Sequence, residues 1–347
     1  MATIRDVAKL AGVSISTVSL TFSGAGPVGE ETRQRIRSAA KQVGYTASPL
    51  GRSLARGHSD LIGMVVAEVS NPFFGTILRE VEDRALELGH MVIVSDTDAK
   101  PDRELAILDR LSALRVAGVI YSPHGQSEEF VQHVRSLSIP LVTIDHKLEG
   151  LEVDFVSSDN LLASAMLTEH IIRLGHKRIA HIAGRKGLWT AEQRKLGFRN
   201  TMMAAGIEID ETLVVEGNYV GRNAYECTMR LLTRADPPTA IIAANNVMAL
   251  GALQAMNDLG VPCPGEVSLA SIDDVPWGEV IQPRLTMAVQ PLKEIARIAM
   301  DYLLERINVK GDTRIEPREC ILTPKLVIGQ SCAPPSHQSP RRNGLVP

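Results

Sequence analysis

The sequence predicts an α/β protein with a separate helical unit at its N-terminus, and three observations carry that prediction. The 347 residues exceed what one hydrophobic core ordinarily organises. From Leu61 onward, short apolar runs alternate with stretches of helical period. Before Leu61 there are helix patterns broken by glycine and serine.

Composition supports a globular chain, with 44% hydrophobic and 22% charged residues. No run of about eighteen apolar residues occurs, so no membrane span is expected. Asp6 and Lys9 stand where a secretory signal would need its apolar stretch, which makes a cytoplasmic location the expectation. Cys227, Cys263, Cys320 and Cys332 are far apart, with no CxxC and no histidine at metal-ligand spacing. They read as isolated reduced thiols, and neither a metal nor a cofactor is expected.

The first segment holds three short helices. Thr3 with Asp6 forms a capping-box-like start for Arg5–Ala11, and Gly12-Val13 breaks that helix. Ser14 is an N-cap for a second helix from Ile15 to about Phe22. A third, Glu30–Val43, opens with two acids and stops at Gly44, with Ile36, Ala39, Ala40 and Val43 in one apolar stripe. Ala8, Gly12 and Val18 have helix-turn-helix spacing: a small residue for close approach, a glycine for the turn, an apolar residue to pin the second helix.

Charge points the same way. Residues 1–60 hold eight basic and four acidic side chains of the chain's 37 and 40, leaving 29 and 36 in the remainder. A basic head on an acidic body suits a phosphate polymer held by one end.

The segments TIRDVAKLAGVSISTVS and VGEETRQRIRSAAKQVGY closely resemble the headpiece of the LacI/GalR family of repressors, and the resemblance covers the whole chain except its C-terminal tail. It implies that the second helix enters the major groove of double-stranded operator DNA, with Ile15, Ser16 and Leu20 reading bases. Ser14, Thr17, Ser19 and the start of the third helix would hold phosphates, and Thr3 belongs to the same DNA-facing set. The family commonly has Arg or another polar residue at Leu20; leucine offers only apolar contact, for instance to a thymine methyl. Thr21, Ser23 and Gly29 also depart from the usual valine, asparagine and serine, so operators of relatives are not carried over to this chain. In the hinge, Leu54 matches the leucine that wedges into the central base step when two hinge helices pair over the minor groove. Gly51 should cost that helix about 1 kcal/mol relative to alanine.

The expected domains are a headpiece at 1–46, a hinge at 47–60, a core at 61–332 and a disordered tail at 333–347. The core is expected to be periplasmic-binding-protein-like: two lobes with parallel sheets, the first about 61–159 and 290–321, the second about 160–289 and 322–332. Strand patterns read from the residues are Ile62–Ala67, Met91–Ser95, Gly118–Tyr121, Leu141–Ile144, Arg178–Ile182, Ala240–Ala243 and Val267–Ile272. Helices fall between them, beginning with 75–88.

Open parallel sheets bind ligands at the carboxyl ends of their strands. By position, Arg194, Asn245 and Asp273 would anchor an effector by hydrogen bonds, with Phe73, Phe74, Tyr219 and His146 as ring surfaces and Thr190 beside them. Donors and acceptors among aromatic faces suit a sugar or related polyol. Purine-binding relatives carry a basic residue near Leu188, where this chain is apolar. Structural alternatives are a helix-capping role for Asp273, its ion pair with Arg194, and plain core packing for Phe73-Phe74. No GxGxxG after a strand, GxxxxGK[ST], GxSxG or HExxH supports an enzyme. A free-standing solute-binding protein would need an export signal and no helix-turn-helix. The expectation is a homodimeric, effector-controlled DNA-binding regulator, with induction and corepression both open and no membrane partner.

Overall fold

A computed structural model describes residues 2–23, 27–45, 59–275, 278, 280–309 and 315–336. Leu54, Gly51 and most of the expected hinge lie outside the described residues, as do 337–347 of the expected tail.

The head comprises α1 (Ile4–Ala11), α2 (Ile15–Ser23) and α3 (Glu30–Val43). The Thr3 backbone N–H and hydroxyl both donate to the Asp6 carboxylate at 2.8 Å, starting α1. Gly12 ends it at φ +62°, a left-handed geometry that glycine adopts without the Cβ penalty. Ser14 Oγ then accepts the Thr17 N–H at 3.1 Å to start α2. Gly44 closes α3 in the same left-handed geometry. Val7, Ala8, Ala11, Val18, Ile36, Ala39 and Ala40 form the head's own buried core. Val43, expected in the stripe, is half-buried at its margin.

The body is two six-stranded sheets. The first comprises β1 (Leu61–Val66), β2 (Met91–Asp96), β3 (Gly118–Tyr121), β4 (Leu141–Ile144), β5 (Asp154–Ser158) and β11 (Glu319–Leu322), ordered β11-β5-β4-β3-β1-β2 and parallel throughout. The second comprises β6 (Ile179–Ala183), β7 (Val214–Glu216), β8 (Ala240–Ala243), β9 (Ser268–Ile272), β10 (Thr286–Val289) and β12 (Lys325–Val327), ordered β12-β10-β9-β8-β6-β7. Only β12 runs antiparallel there. The chain crosses between sheets after β5, after β10 and after β11.

Helices α4 (Pro72–Glu87), α5 (Pro101–Ala113), α6 (Glu128–Ser136) and α11 (Leu292–Asn308) cover the first sheet. Helices α7 (Asn160–Arg173), α8 (Trp189–Ala204), α9 (Gly221–Leu232) and α10 (Asn246–Asp258) cover the second. Both faces of each sheet are therefore buried, which is why β1, β3, β4 and β8 read as continuous apolar runs. Five strands are not read from the sequence. Buried β5 contains Asp154, Ser157 and Ser158, β10 is a four-residue run opening on Thr286, and β7, β11 and β12 are short and incompletely buried.

Long-range bonds secure these unread pieces. Asp154 accepts from Arg306 Nε at 2.7 Å and from Arg318 Nη2 at 3.0 Å, joining β5 to α11 and the start of β11. Two boundary segments are also tied to the body. Ser59 N–H, at the end of the expected hinge, donates to the Arg115 carbonyl at 2.8 Å. The Ala333 carbonyl, at the start of the expected tail, accepts from His176 at 2.8 Å and from Ser268 at 3.0 Å.

Candidate functional site

Loops after the strands of both sheets enclose an interlobe cavity of about 780 Å³, within the usual size range for a small-ligand site. All eight residues expected at an effector site line it. The first lobe contributes Phe73 and Phe74 from α4 and His146 after β4. Asn71 Oδ1 accepts the Phe73 N–H at 3.1 Å, capping α4 so that its first turn faces the cleft. The two phenyl rings meet edge-to-face at 5.0 Å and also belong to the lobe's core, so the packing alternative holds alongside their place in the wall.

The second lobe contributes charge. Arg194, buried in α8, donates through Nε to Asn160 Oδ1 at 2.7 Å and through Nη1 to the Ala244 carbonyl. Its Nη1 is 3.9 Å from Asp273 Oδ2, and its guanidinium lies 5.6 Å from the Tyr219 ring centroid. Asp273 also accepts from Gln290 Nε2 on the crossing segment before α11. The structural ion pair is thus present, whereas Asp273 caps no helix among the described residues. Asn245 does: its Oδ1 accepts the Met248 N–H at 2.9 Å at the start of α10, leaving Nδ2 as the donor it brings to the cavity.

Thr190 joins the lobes. Its hydroxyl lies 3.2 Å from His146 Nδ1 and 2.7 Å from the Tyr219 hydroxyl. Tyr219 packs so closely over Gly184 that a Cβ there would sit 2.2 Å from the ring.

Burial sets the protonation of this wall. It pushes the His146 imidazole down to about 3, helped by Arg194, and His124 down to about 3, helped by His146. Both rings are neutral at physiological pH, each with one donor and one acceptor nitrogen. Burial likewise raises the Asp145 and Asp273 carboxyls, with Arg194 working against it, and pushes the Tyr219 phenol up to about 12.

Six non-glycine residues of the cavity wall have positive φ: Asp98, Ala99, Asp145, Asn218, Tyr219 and Asp273. Each such conformation costs about 1–2 kcal/mol, and clusters of this kind mark binding sites.

Arg185 and His124 belong to the wall but were not anticipated. Both follow strand ends, β6 and β3, so the rule that found Asn245 and Asp273 would have found them too. Arg185 Nη1 bonds the Ala99 carbonyl across the cleft at 3.1 Å. This wall therefore has a cation three residues before the apolar Leu188. Among the described residues no cluster of His, Cys, Asp or Glu could hold a metal, and no helix is long and apolar enough to cross a membrane.

The head presents a second surface. Ser14, Ile15, Ser16 and Leu20 of the α2 segment are exposed, Thr17 and Ser19 half-buried, and Thr3 is exposed beside them in sequence order at the start of α1. The Ser14 hydroxyl lies 2.7 Å from Ser16 Oγ and 2.8 Å from Thr17 Oγ1. These hydroxyls cluster at a helix N-terminus, where dipole and free N–H groups favour anions.

A helix-turn-helix head on a two-lobed body with a polar interlobe cavity defines a ligand-responsive DNA-binding regulator. The chain belongs to the LacI family of bacterial regulatory proteins. The model of that family's DNA-binding region matches residues 3–48, and a periplasmic binding protein-like domain matches residues 168–332. The HTH-type transcriptional repressor PurR of Haemophilus influenzae (strain PittEE) is 33% identical over 332 residues, covering 95% of this chain and 98% of its own. The HTH-type transcriptional regulator DegA of Bacillus subtilis (strain 168) is 32% identical over 340 residues, covering 96% and 98%. Among solved structures, the Lac repressor dimer bound to operator and the anti-inducer ONPF superposes with a TM-score of 0.79 at 26% identity, covering 96% of this chain and 99% of that one. The transcriptional regulator CelR–cellobiose complex gives 0.71 at 28% identity, covering 95% and 100%. The protein is a DNA-binding transcriptional repressor of the kind that works with a small-molecule effector, and these relatives are regulators rather than enzymes.

Proposed function

We propose that the effector is an uncharged polyhydroxylated molecule, a sugar or sugar derivative, bound in the interlobe cavity of a homodimer. One observation carries this reading: Arg194, Asp273 and Asn245 converge in the same cavity as Tyr219, Phe73 and two neutral histidines. The Arg194 charge is already opposed by Asp273, with Asp145 also acting on it, so Arg194 itself is suited to hydrogen bonding rather than to capturing an anion. Hydroxyl groups match such mixed donors and acceptors, and ring faces match the C–H side of a sugar.

A second reading, a purine, is favoured by Arg185, which supplies the cation that Leu188 lacks. A thermal-shift panel of sugars, polyols, sugar acids and purines separates the two. A rise in Tm with nucleobases alone would overturn the carbohydrate reading.

On the DNA side, we assign base reading to Ile15, Ser16 and Leu20, and phosphate contacts to Ser14, Thr17 and Ser19, with Thr3 in the same DNA-facing set. Ile15 and Leu20 are 46% and 38% exposed, an apolar reading surface that favours contacts such as a thymine methyl. Effector binding would bias the lobes between two arrangements and so change how two heads align on a near-palindromic operator. Fluorescence anisotropy with operator fragments from upstream of the gene, with and without the stabilising compound, tests this coupling. Equal binding to unrelated DNA at every salt concentration would overturn sequence-specific recognition.

A further inference from the structure

Glu104 is a carboxylate with no solvent exposure, on the inner face of α5, behind the first-lobe wall of the cavity. It does not line the cavity. Its two oxygens accept the successive backbone N–H groups of His124 and Gly125, each at 2.8 Å. Those residues form the loop between β3 and α6. The loop has no slack on its other side: a Cβ on Gly125 would lie 2.4 Å from the Phe130 ring.

What the carboxylate grips is part of the wall. The His124 ring stands edge-to-face on His146 at 4.7 Å. His146 meets Thr190, and Thr190 meets Tyr219, so the contacts run from Glu104 across the cleft into the second lobe. Helix α5 has no need of a buried carboxylate, and an apolar residue there would pack at lower desolvation cost. The two amides explain its presence.

We propose that Glu104 is a positioning residue for the effector cavity: by gripping the His124 and Gly125 amides it holds His124 against His146, so that its ionisation sets effector affinity. This rests on the reading of the cavity as the effector site.

The titratable and charged groups facing Glu104 are Tyr121 on β3, His124 in the loop, and Arg185 after β6. Burial raises its carboxyl to about 7, while the two amides, Tyr121 and Arg185 pull the other way. Above that pH the carboxylate accepts both N–H groups at full strength. Below it a neutral acid accepts them weakly. Against a loop that lets go while Glu104 stays buried, where the carboxyl would titrate higher still without the two amides, loop order and with it effector affinity should therefore fall as pH drops from 8 to 6.

The test uses the full chain and E104Q, which keeps side-chain volume but replaces one acceptor oxygen with a donor. Hydrogen–deuterium exchange, corrected for intrinsic rates, reads the His124 and Gly125 amides at pH 6, 7 and 8. Wild type should lose protection there as pH falls, and E104Q should be unprotected and flat with pH. Protection in the β8 and β9 strands of the second lobe should be equal in both, which controls for folding. Unchanged exchange in E104Q, or a flat wild-type profile, would overturn the proposal even if the variant folds poorly.

In the second arm, calorimetric titration uses cellobiose, D-ribose and hypoxanthine as probes. Any that binds wild type should bind E104Q about tenfold more weakly at pH 8, with the gap closing at pH 6. Equal affinities and equal pH profiles would overturn the link to the effector. If none of the three binds, that counts against the reading of the cavity, while the exchange arm still decides the role of Glu104.

Discussion

The face of α2 and the wall of the cleft both offer polar groups to a partner, but they are built in opposite ways. On α2, the hydroxyls of Ser14, Ser16 and Thr17 are satisfied by neighbours two or three residues away and remain at the surface. In the cleft, buried Arg194 takes partners 34 and 50 residues away, on other elements. A surface that reads a polymer can be made locally, because water satisfies whatever the partner does not. A cavity that orients a small molecule must desolvate its polar groups first, and only long-range partners offset that cost.

Substitutions should separate the two regions by the size and place of their effects. Arg194→Ala is the strongest, since it leaves Asp273 buried without its countercharge, and Asn160 Oδ1 and the Ala244 carbonyl buried without their donor. A loss of about 3–5 kcal/mol is expected, with effector-induced Tm shifts abolished and operator binding by intact protein retained. If operator binding disappears at temperatures where the body remains folded, the regions are not separable.

Asp154→Asn should cost roughly 3 kcal/mol, because it removes the charge that Arg306 and Arg318 share at the rear of the first lobe. Burial opposes ionisation of this carboxyl, but bonds from both arginines hold it below its usual value of 3.8. Its stabilisation is therefore present above that value and lost as pH falls through the lower folded-state value. Denaturant titrations should show the variant's deficit at pH 7 shrinking below about pH 4; a deficit that stays constant would exclude the charge as its cause.

His181→Phe should act in the opposite direction. The His181 ring is fully buried and stacked on Phe198 at 5.0 Å, and its nitrogens make no hydrogen bond of good geometry, with only the Ile242 backbone close by. Burial pushes it down to about 3, so it is neutral in the fold. Phenylalanine should stabilise the second lobe by about 1 kcal/mol, read as a higher Tm with effector affinity unchanged. A lower Tm would mean that the imidazole has a structural use.

The smallest change expected is in the head. Ser14→Ala removes the α2 cap, costing about 1 kcal/mol of head stability and weakening operator binding without altering the effector response. An altered effector Tm shift in this variant would show that the head feeds back on the cleft.

The sequence alone was enough for the parts whose causes are local. Thr3, Gly12, Ser14 and Gly44 mark the helix ends of the head, and the apolar runs of β1, β3, β4 and β8 mark strands buried on both faces. Strand-end position brings Asn245 and Asp273 to the cavity wall, since parallel sheets open their carboxyl ends, and Arg194 reaches it from α8. Tertiary structure decided the rest. Strand β5 was hidden because Asp154 becomes a strand residue only once Arg306 and Arg318, more than 150 positions away, neutralise it. Glu104 looks in sequence like one more acid in the first turn of a helix. Only the folded chain turns it inward onto two backbone amides, because a buried carboxylate takes its meaning from its partners, and those are set by packing rather than by position along the chain.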